Sequence, residues 1–132
     1  FNLGVNDMAN ASNYVSYMTN IASTLKSKNC KLFYMSVNPI NSVMITKAGK
    51  GARTEAQVRE FNSKIRSGLS LNYKYIDTYS VLMKKGYGTN SSYSGTDAAS
   101  DDGLHYTTKT FKRIYYYCIT YLNTGSIDAS IY

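Results

Sequence analysis

Residues 30–37 read Cys-Lys-Leu-Phe-Tyr-Met-Ser-Val, a short and mostly apolar run. A helical pattern precedes this run, and Asn38-Pro39 stops it, because proline has no N–H to donate to a sheet ladder. An apolar run of this length after a helix is typical of a parallel strand that is buried on both faces. We therefore expect the chain to be built on a parallel sheet.

Helical patterns lie on both sides of this strand. The apolar face of the first helix is formed by Met8, Ala11, Val15, Met18, Ala22 and Leu25. A capping box from Thr54 to Gln57 predicts the start of a second helix. The apolar face of that helix is formed by Val58, Phe61, Ile65 and Leu69. Residues 73–77 then read as another short strand, and residues 78–85 as a turn or a short helical piece.

The remaining segments are two loops and a last helix. Residues 41–53 read as a polar loop, and residues 86–100 are too rich in glycine and serine for a packed element. Thr107 or Thr108 is the expected N-cap of the last helix, which ends at Gly125. Its predicted inner face is Phe111, Tyr115, Cys118 and Leu122.

Alternating strands and helices predict an α/β protein, and residues 1–132 suit a single domain with a parallel sheet covered by helices. The first residues read as the end of a further buried strand. Ligands of such sheets bind beyond the carboxyl ends of the strands. Residues 4–7, 38–53 and 86–105 all lie on strand-to-helix connections, so we expect the chemistry to gather at that edge.

Composition bounds the classes of partner. The net charge is +7, but no run of basic residues is longer than two. Scattered charge of this kind is typical of solvated surfaces, so we expect no nucleic-acid partner. A steep salt dependence of binding would favour one after all. No apolar run approaches the length of a membrane span. Abundant Tyr, Asn and Ser suit a secreted or cell-surface bacterial protein.

Two cysteines are too few for a disulfide scaffold or a zinc site, and we expect neither a metal nor another cofactor. Cys30 opens the predicted strand, and Cys118 lies on the predicted inner face of the last helix. Two buried thiols are the first interpretation. A single disulfide between them is the alternative if the protein is secreted.

His105 is the chain's only histidine, and Asp102 precedes it by three residues. A carboxylate that accepts a hydrogen bond from one ring nitrogen leaves the other nitrogen able to act as a base. Asp101 is a rival partner at a four-residue offset. The alternative is a purely structural role, in which Asp102-Gly103 forms a turn and His105 takes no part in chemistry.

The pair Asp102-x-x-His105 and the motif Gly4-x-Asn6-Asp7 together resemble the SGNH hydrolases, also called GDSL-type esterases and lipases. The third sequence block of that family is Gly-x-Asn-Asp, and the fifth is Asp-x-x-His. The resemblance covers essentially the whole chain. It implies a flavodoxin-like three-layer α/β/α fold and ester hydrolysis by Ser-His-Asp acyl transfer.

The resemblance also implies a role for each motif residue. His105 would be the general base, and Asp102 would hold its tautomer. The side-chain amide of Asn6 would stabilise the oxyanion, and Gly4 would let the backbone turn tightly beneath the substrate. Asp7 is expected to cap the following helix or to tie the loop together.

One family feature has no counterpart here. The nucleophilic serine of the family lies in a Gly-Asp-Ser block that precedes Gly-x-Asn-Asp, and residues 1–3 do not contain it. We expect this serine upstream of residue 1 and a sheet that lacks its first strand–helix units. The missing N-terminal segment or a second copy of the chain would then cover the exposed edge.

The expected substrate is a small ester or an acylated carbohydrate, such as an acetylated sugar. Tyr87 and Tyr93 in the glycine-rich loop could stack on a sugar ring, although loop packing is the favoured interpretation for either. A different class of function stays open: a non-catalytic carbohydrate- or partner-binding module on a hydrolase scaffold.

Overall fold

The computed structural model describes residues 4–68, 73–88 and 102–130, and they form an α/β protein. A short 3-10 turn, Met8–Asn10, leads into the first helix. The helices are α1 Ala11–Ser27, α2 Ser42–Lys47, α3 Glu55–Gly68, α4 Thr78–Lys84 and α5 Thr108–Thr124. The strands are β1 Phe33–Met35 and β2 Lys74–Ile76.

The chain divides into two compact units. The first unit comprises Phe1–Val37 and Ala56–Asp77, and the second comprises Asn38–Glu55 and Thr78–Tyr132. The first unit therefore holds the sheet with α1 and nearly all of α3. The second holds α2, α4 and α5.

The sheet of the first unit is parallel, as the sequence predicts. β1 pairs with β2 in the register Phe33↔Lys74, Tyr34↔Tyr75 and Met35↔Ile76. The Ser36 amide extends the ladder by donating to the Ile76 carbonyl at 3.0 Å. Both strands lie inside the predicted segments and are shorter than them. The expected strand over the first residues lies outside the described residues, except for its last residue.

Two predicted helix faces of the first unit are confirmed for most of their residues, while Met8, Val15 and Leu25 are half-buried and Leu69 lies outside the described residues. Ala11, Met18 and Ala22 of α1 are buried, and so are Val58, Phe61 and Ile65 of α3. α3 begins directly after the predicted N-cap Thr54. The side chain of Asn62 brackets the end of β1, because its Nδ2 donates to the Val37 carbonyl and its Oδ1 accepts from the Val37 amide, both at 2.8 Å.

The prediction of a continuous loop over residues 41–53 is wrong for α2. The Asn41 side chain accepts from the Met44 amide at 3.1 Å and caps the first turn of this helix. Ile45 is fully buried and fixes the helix to the second unit. One cap and one buried side chain hold this six-residue helix in place. A helix of six residues is too short to give a periodic apolar pattern in the sequence.

The predicted inner face of α5 is also wrong. Its buried residues are Thr110, Arg113, Ile114 and Tyr117, whereas Phe111, Tyr115 and Leu122 are largely exposed. The helix carries apolar residues around its circumference, and the more polar of its two candidate faces is the one that packs. The predicted cap and end are confirmed, since Thr107 accepts from the Thr110 amide and Gly125 is left-handed.

The cysteines differ from their expected burial. Cys30 is exposed on the connection before β1, so its interpretation as a buried thiol is wrong, and Cys118 is half-buried. Cys30 and Cys118 form no disulfide. Among the described residues, no helix has the length and apolar character needed to cross a membrane.

Candidate catalytic site

The Asp102 carboxylate and the His105 imidazole are in direct contact in the second unit. Oδ2 of Asp102 lies 2.6 Å from Nδ1 of His105. The other carboxylate oxygen, Oδ1, accepts from the backbone amides of Leu104 at 2.9 Å and His105 at 3.0 Å. Asp102 is thus fixed by its own loop and oriented toward the ring.

This contact selects a tautomer of the imidazole. An ionised carboxylate has no proton to donate, so Nδ1 of His105 is the donor and Nε2 carries the lone pair of the neutral ring. The His105 side chain is 68% exposed and that of Asp102 21%. No group among the described residues hydrogen-bonds to Nε2. The arrangement can therefore accept a proton from a hydroxyl that approaches from solvent.

Gly103 locks the loop against the first turn of α2. It has φ +73°, and a Cβ there would lie 2.5 Å from the Asn41 carbonyl oxygen and 2.8 Å from Cβ of Met44. The Asn41 amide donates to the Gly103 carbonyl at 2.9 Å. Both the backbone angle and the close approach require glycine.

Tyr106 fixes the other end of the loop. Its hydroxyl donates to the carbonyl of Pro39. Its ring meets Tyr87 and Phe111 edge-on, with centroids 6.2 Å and 6.1 Å away. Burial raises the pKa of the Tyr106 phenol, so the hydroxyl remains a donor. Because Thr107 caps α5 next in the chain, the loop is held on both sides of the Asp102–His105 pair.

The segment that receives these contacts is itself buried. Asn38 and Pro39 are buried, and the Thr78 hydroxyl donates to Oδ1 of Asn38 at 2.6 Å. This bond ties the chain after β1 to the first residue of α4. The candidate base and its carboxylate therefore rest on a rigid support within the second unit.

Tyr87 packs instead of presenting a ring to a substrate. It is only 4% exposed, and its hydroxyl accepts from Nη1 of Arg113 at 2.6 Å and lies 2.9 Å from Oγ1 of Thr110. The guanidinium of Arg113 also lies 6.0 Å from the centre of the Tyr87 ring. The burial of Tyr87 therefore agrees with loop packing, the interpretation favoured for it, rather than with stacking on a sugar. Tyr93, its predicted companion, and Asp101, the rival of Asp102, lie outside the described residues.

A groove of about 510 Å³ lies beside α2, the helix that supports Gly103. Its lining combines apolar groups, hydroxyls and two cations: Ser42, Val43, Thr46, Lys47, Ala52, Arg53 and Thr54. A volume of this size is within the range of small-molecule sites, about 300–1,000 Å³. Both this groove and the Asp102–His105 loop contact α2.

The Gly4–Asp7 motif lies in the first unit and forms a tight turn. The Asp7 amide donates to the Gly4 carbonyl at 2.9 Å. Gly4 is buried with φ +123°, and a Cβ there would lie 2.5 Å from the ring of Phe61. Asn6 is exposed. Asp7 stands at the N-cap position of the 3-10 turn, but its side chain makes no capping bond, so the capping role expected for it is wrong.

The sequence predicts the Asp102–His105 pair but not the contacts that hold its loop in place. Asp-Gly signals a turn, and a glycine with positive φ is its usual companion. The contacts of Gly103 with Asn41 and of Tyr106 with Pro39 join residues more than 60 positions apart. No local pattern encodes them.

No family model matches the chain, and comparisons with curated proteins and with solved structures found no significant match. The resemblance to the SGNH hydrolases therefore depends on the two motifs and on the chemistry that they can support. Three or more His, Cys, Asp or Glu side chains in metal-binding geometry are not found within residues 4–68, 73–88 and 102–130.

Proposed function

We propose that this chain carries the general base and oxyanion donor of an SGNH-type ester hydrolase. The observation that carries the proposal is the 2.6 Å contact between Asp102 and His105, with the second carboxylate oxygen held by two backbone amides. A fixed carboxylate at Nδ1 and an exposed Nε2 are what a general base for a hydroxyl nucleophile needs.

In the proposed reaction, Nε2 of His105 takes the proton from a serine hydroxyl as its oxygen attacks the ester carbonyl. The positive charge on the imidazolium is stabilised by Asp102. The tetrahedral intermediate collapses, and the imidazolium returns the proton to the leaving alcohol. A water molecule, deprotonated by the same nitrogen, then cleaves the acyl-serine and restores the enzyme.

Gly4 and Asn6 keep their motif roles in this proposal. Removal of a comparable oxyanion donor costs about 3 kcal/mol of transition-state stabilisation. The serine belongs to a family block that is not found in residues 1–132, so the nucleophile is proposed to come from outside them. The proposal also carries the finer fold of the family, a flavodoxin-like three-layer domain in which β1 and β2 are two of the parallel strands.

A fluorophosphonate probe tests the proposal, because it labels serines that a base activates. In the full-length gene product, we expect one labelled serine outside residues 1–132 and loss of the label in His105→Ala and Asp102→Ala. Lys112→Ala, a change at an exposed α5 residue, is the control and should label normally. A labelled serine that does not depend on His105, or no label at all, would refute the mechanism.

The isolated 132-residue chain offers a second measurement. Its hydrolysis of p-nitrophenyl acetate should equal that of its His105→Ala variant, because no family serine block is found in it. Robust turnover that His105→Ala abolishes would instead place the nucleophile within these residues.

A further inference from the structure

A groove follows the Gly4–Asp7 turn in the first unit. It runs along the first turns of α1, has a volume of about 320 Å³ and is lined by Asp7, Asn10, Asn13, Tyr14 and Tyr17. This volume is at the lower end of the range for small-molecule sites. Asn13 and Tyr14 lie four and three positions before Tyr17, so both neighbour it on the surface of α1.

The carboxylate and amide side chains of this groove make no hydrogen bond to the residues that the structure describes. Asp7 and Asn10 occupy the N-cap positions of the 3-10 turn and of α1, where such residues normally bond to backbone amides. Neither side chain makes that bond. Within the described part of the chain, Asn13 has no hydrogen-bonding partner either. One carboxylate and two amides are therefore available to a ligand.

Two tyrosines complete the lining. The ring of Tyr17 is 66% exposed, although the residue is large and aromatic. The hydroxyl of Tyr14 accepts from that of Tyr34 at 3.2 Å, which leaves its own hydrogen to be donated. Burial raises the pKa of Tyr14, so this hydrogen is retained at neutral pH.

We propose that this groove is a binding site for a neutral saccharide. The ring of Tyr17 offers an apolar face for the C–H side of a pyranose, and Asn side chains both donate to and accept from sugar hydroxyls. Asp7 accepts a hydroxyl hydrogen. Among the described residues of the lining there is no cationic side chain to select an anion, and their single carboxylate is too few for a hard metal ion.

The proposal concerns binding, and it holds whether or not the protein hydrolyses esters. Asp7 of the groove directly follows Asn6, the proposed oxyanion donor, in the chain. If hydrolysis is established as well, an acylated saccharide becomes the expected substrate. The two proposals use different residues and different measurements.

The test is NMR titration of the 132-residue chain with three probes: cellotetraose, xylotetraose and tetra-N-acetylchitotetraose. At least one should bind with a millimolar or lower Kd and shift the amide resonances of residues 7–17. Tyr17→Ala should weaken binding about fivefold or more, and Asn13→Ala about three- to tenfold. Tyr17→Phe keeps the ring and should stay within about twofold of the wild type.

Tyr115→Ala is the matched control. Tyr115 on α5 is 61% exposed and lies in the other unit, so its removal tests for unspecific contact with an exposed tyrosine. It should leave Kd unchanged. Equal losses in Tyr17→Ala and Tyr115→Ala, shifts outside residues 7–17, or no binding of any probe at 10 mM would each overturn the site. None of these outcomes depends on ester hydrolysis, so the binding test can be interpreted even if the hydrolase proposal fails.

Discussion

Gly103 lies between Asp102 and His105 in the chain and packs their loop against the start of α2. Gly49 offers a matched comparison in the same unit, because its φ is +67° and nothing lies within 4 Å of its missing Cβ, whereas the Gly103 Cβ would meet a carbonyl oxygen at 2.5 Å. Gly49→Ala should cost only backbone strain, about 1–2 kcal/mol. Gly103→Ala should lose about 1–3 kcal/mol more from steric overlap.

Urea unfolding of both variants measures the difference. A second readout is the ¹⁵N chemical shift of the His105 ring, which reports the tautomer. It should change in Gly103→Ala and stay as in the wild type in Gly49→Ala. Equal losses of unfolding free energy in the two variants would show that the contact with Asn41 does not constrain the loop.

The two thiols should differ in reactivity at pH 8. Cys30 is exposed, whereas Cys118 is half-buried and burial raises the pKa of its thiol. A raised pKa lowers the thiolate fraction at a given pH, and the thiolate is the nucleophile. Labelling with a chromogenic disulfide reagent should therefore show a fast phase from Cys30 and a slow phase from Cys118, at least about fivefold apart.

The slow phase should accelerate as the pH is raised, and Cys118→Ser should remove it. A slow phase that survives this substitution, or a faster reaction of Cys118 than of Cys30, would contradict the burial of Cys118.

At the scale of elements, α5 shows that a buried arginine can make the inner face of a helix unrecognisable from its sequence pattern. Nη1 of Arg113 donates to the Tyr87 hydroxyl, and its Nε has no partner among the described residues. A pattern of apolar spacing cannot identify this face as the inner one, because Thr110 and Arg113 count against it. The face with Phe111 and Leu122 is more apolar, yet it is the exposed one.

A pair of substitutions measures which face packs. Ile114 is 5% exposed and Leu122 48% exposed on the same helix. Ile114→Ala should lower the free energy of unfolding by about 2–5 kcal/mol, as for a buried aliphatic side chain. Leu122→Ala should change it by less than about 0.5 kcal/mol. Thermal or urea unfolding of the two variants measures these losses. A larger loss in Leu122→Ala than in Ile114→Ala would show that the face predicted from the sequence is the one that packs.

Local pattern explains why some elements are predictable and others are not. α1 and α3 have long amphipathic faces, and β1 is an apolar run between a helix and a proline, so each follows from neighbouring residues. α2 has six residues and depends on the cap at Asn41 and the burial of Ile45. The Asp102–His105 contact follows from a three-residue spacing, but its supports at Asn41 and Pro39 are set by tertiary structure.

At the scale of the whole molecule, each of the two units buries tyrosine among the aliphatic side chains of its core. Tyr34 in the first unit and Tyr117 in the second are fully buried. Tyr34 stacks on Tyr73 with centroids 5.8 Å apart and donates to Tyr14. Buried phenols of this kind stabilise the fold only while they stay protonated. We therefore expect the free energy of unfolding to fall at alkaline pH.

Burial raises the pKa of Tyr34, Tyr73 and Tyr75 above the ordinary value of a tyrosine phenol, about 10. Below about pH 10 their stabilising contribution is fully present, because folded and unfolded chains are both protonated. Above it the unfolded chain releases protons that the folded chain retains, so stability falls. The free energy of unfolding should fall by up to about 1.4 kcal/mol per pH unit for the fully buried Tyr34. The fall should be smaller for Tyr73 and Tyr75, because these half-buried phenols are screened by water.

Tyr34→Phe should therefore move the alkaline unfolding transition to higher pH, while costing about 0.5–1.5 kcal/mol at pH 8 through the lost hydrogen bond to Tyr14. The measurement is urea unfolding from pH 8 to 11.5, with absorbance at 295 nm to follow phenolate formation. Tyr17→Phe removes an exposed hydroxyl and should leave the transition where it is in the wild type. If Tyr34→Phe leaves it there too, the burial of Tyr34 does not limit alkaline stability.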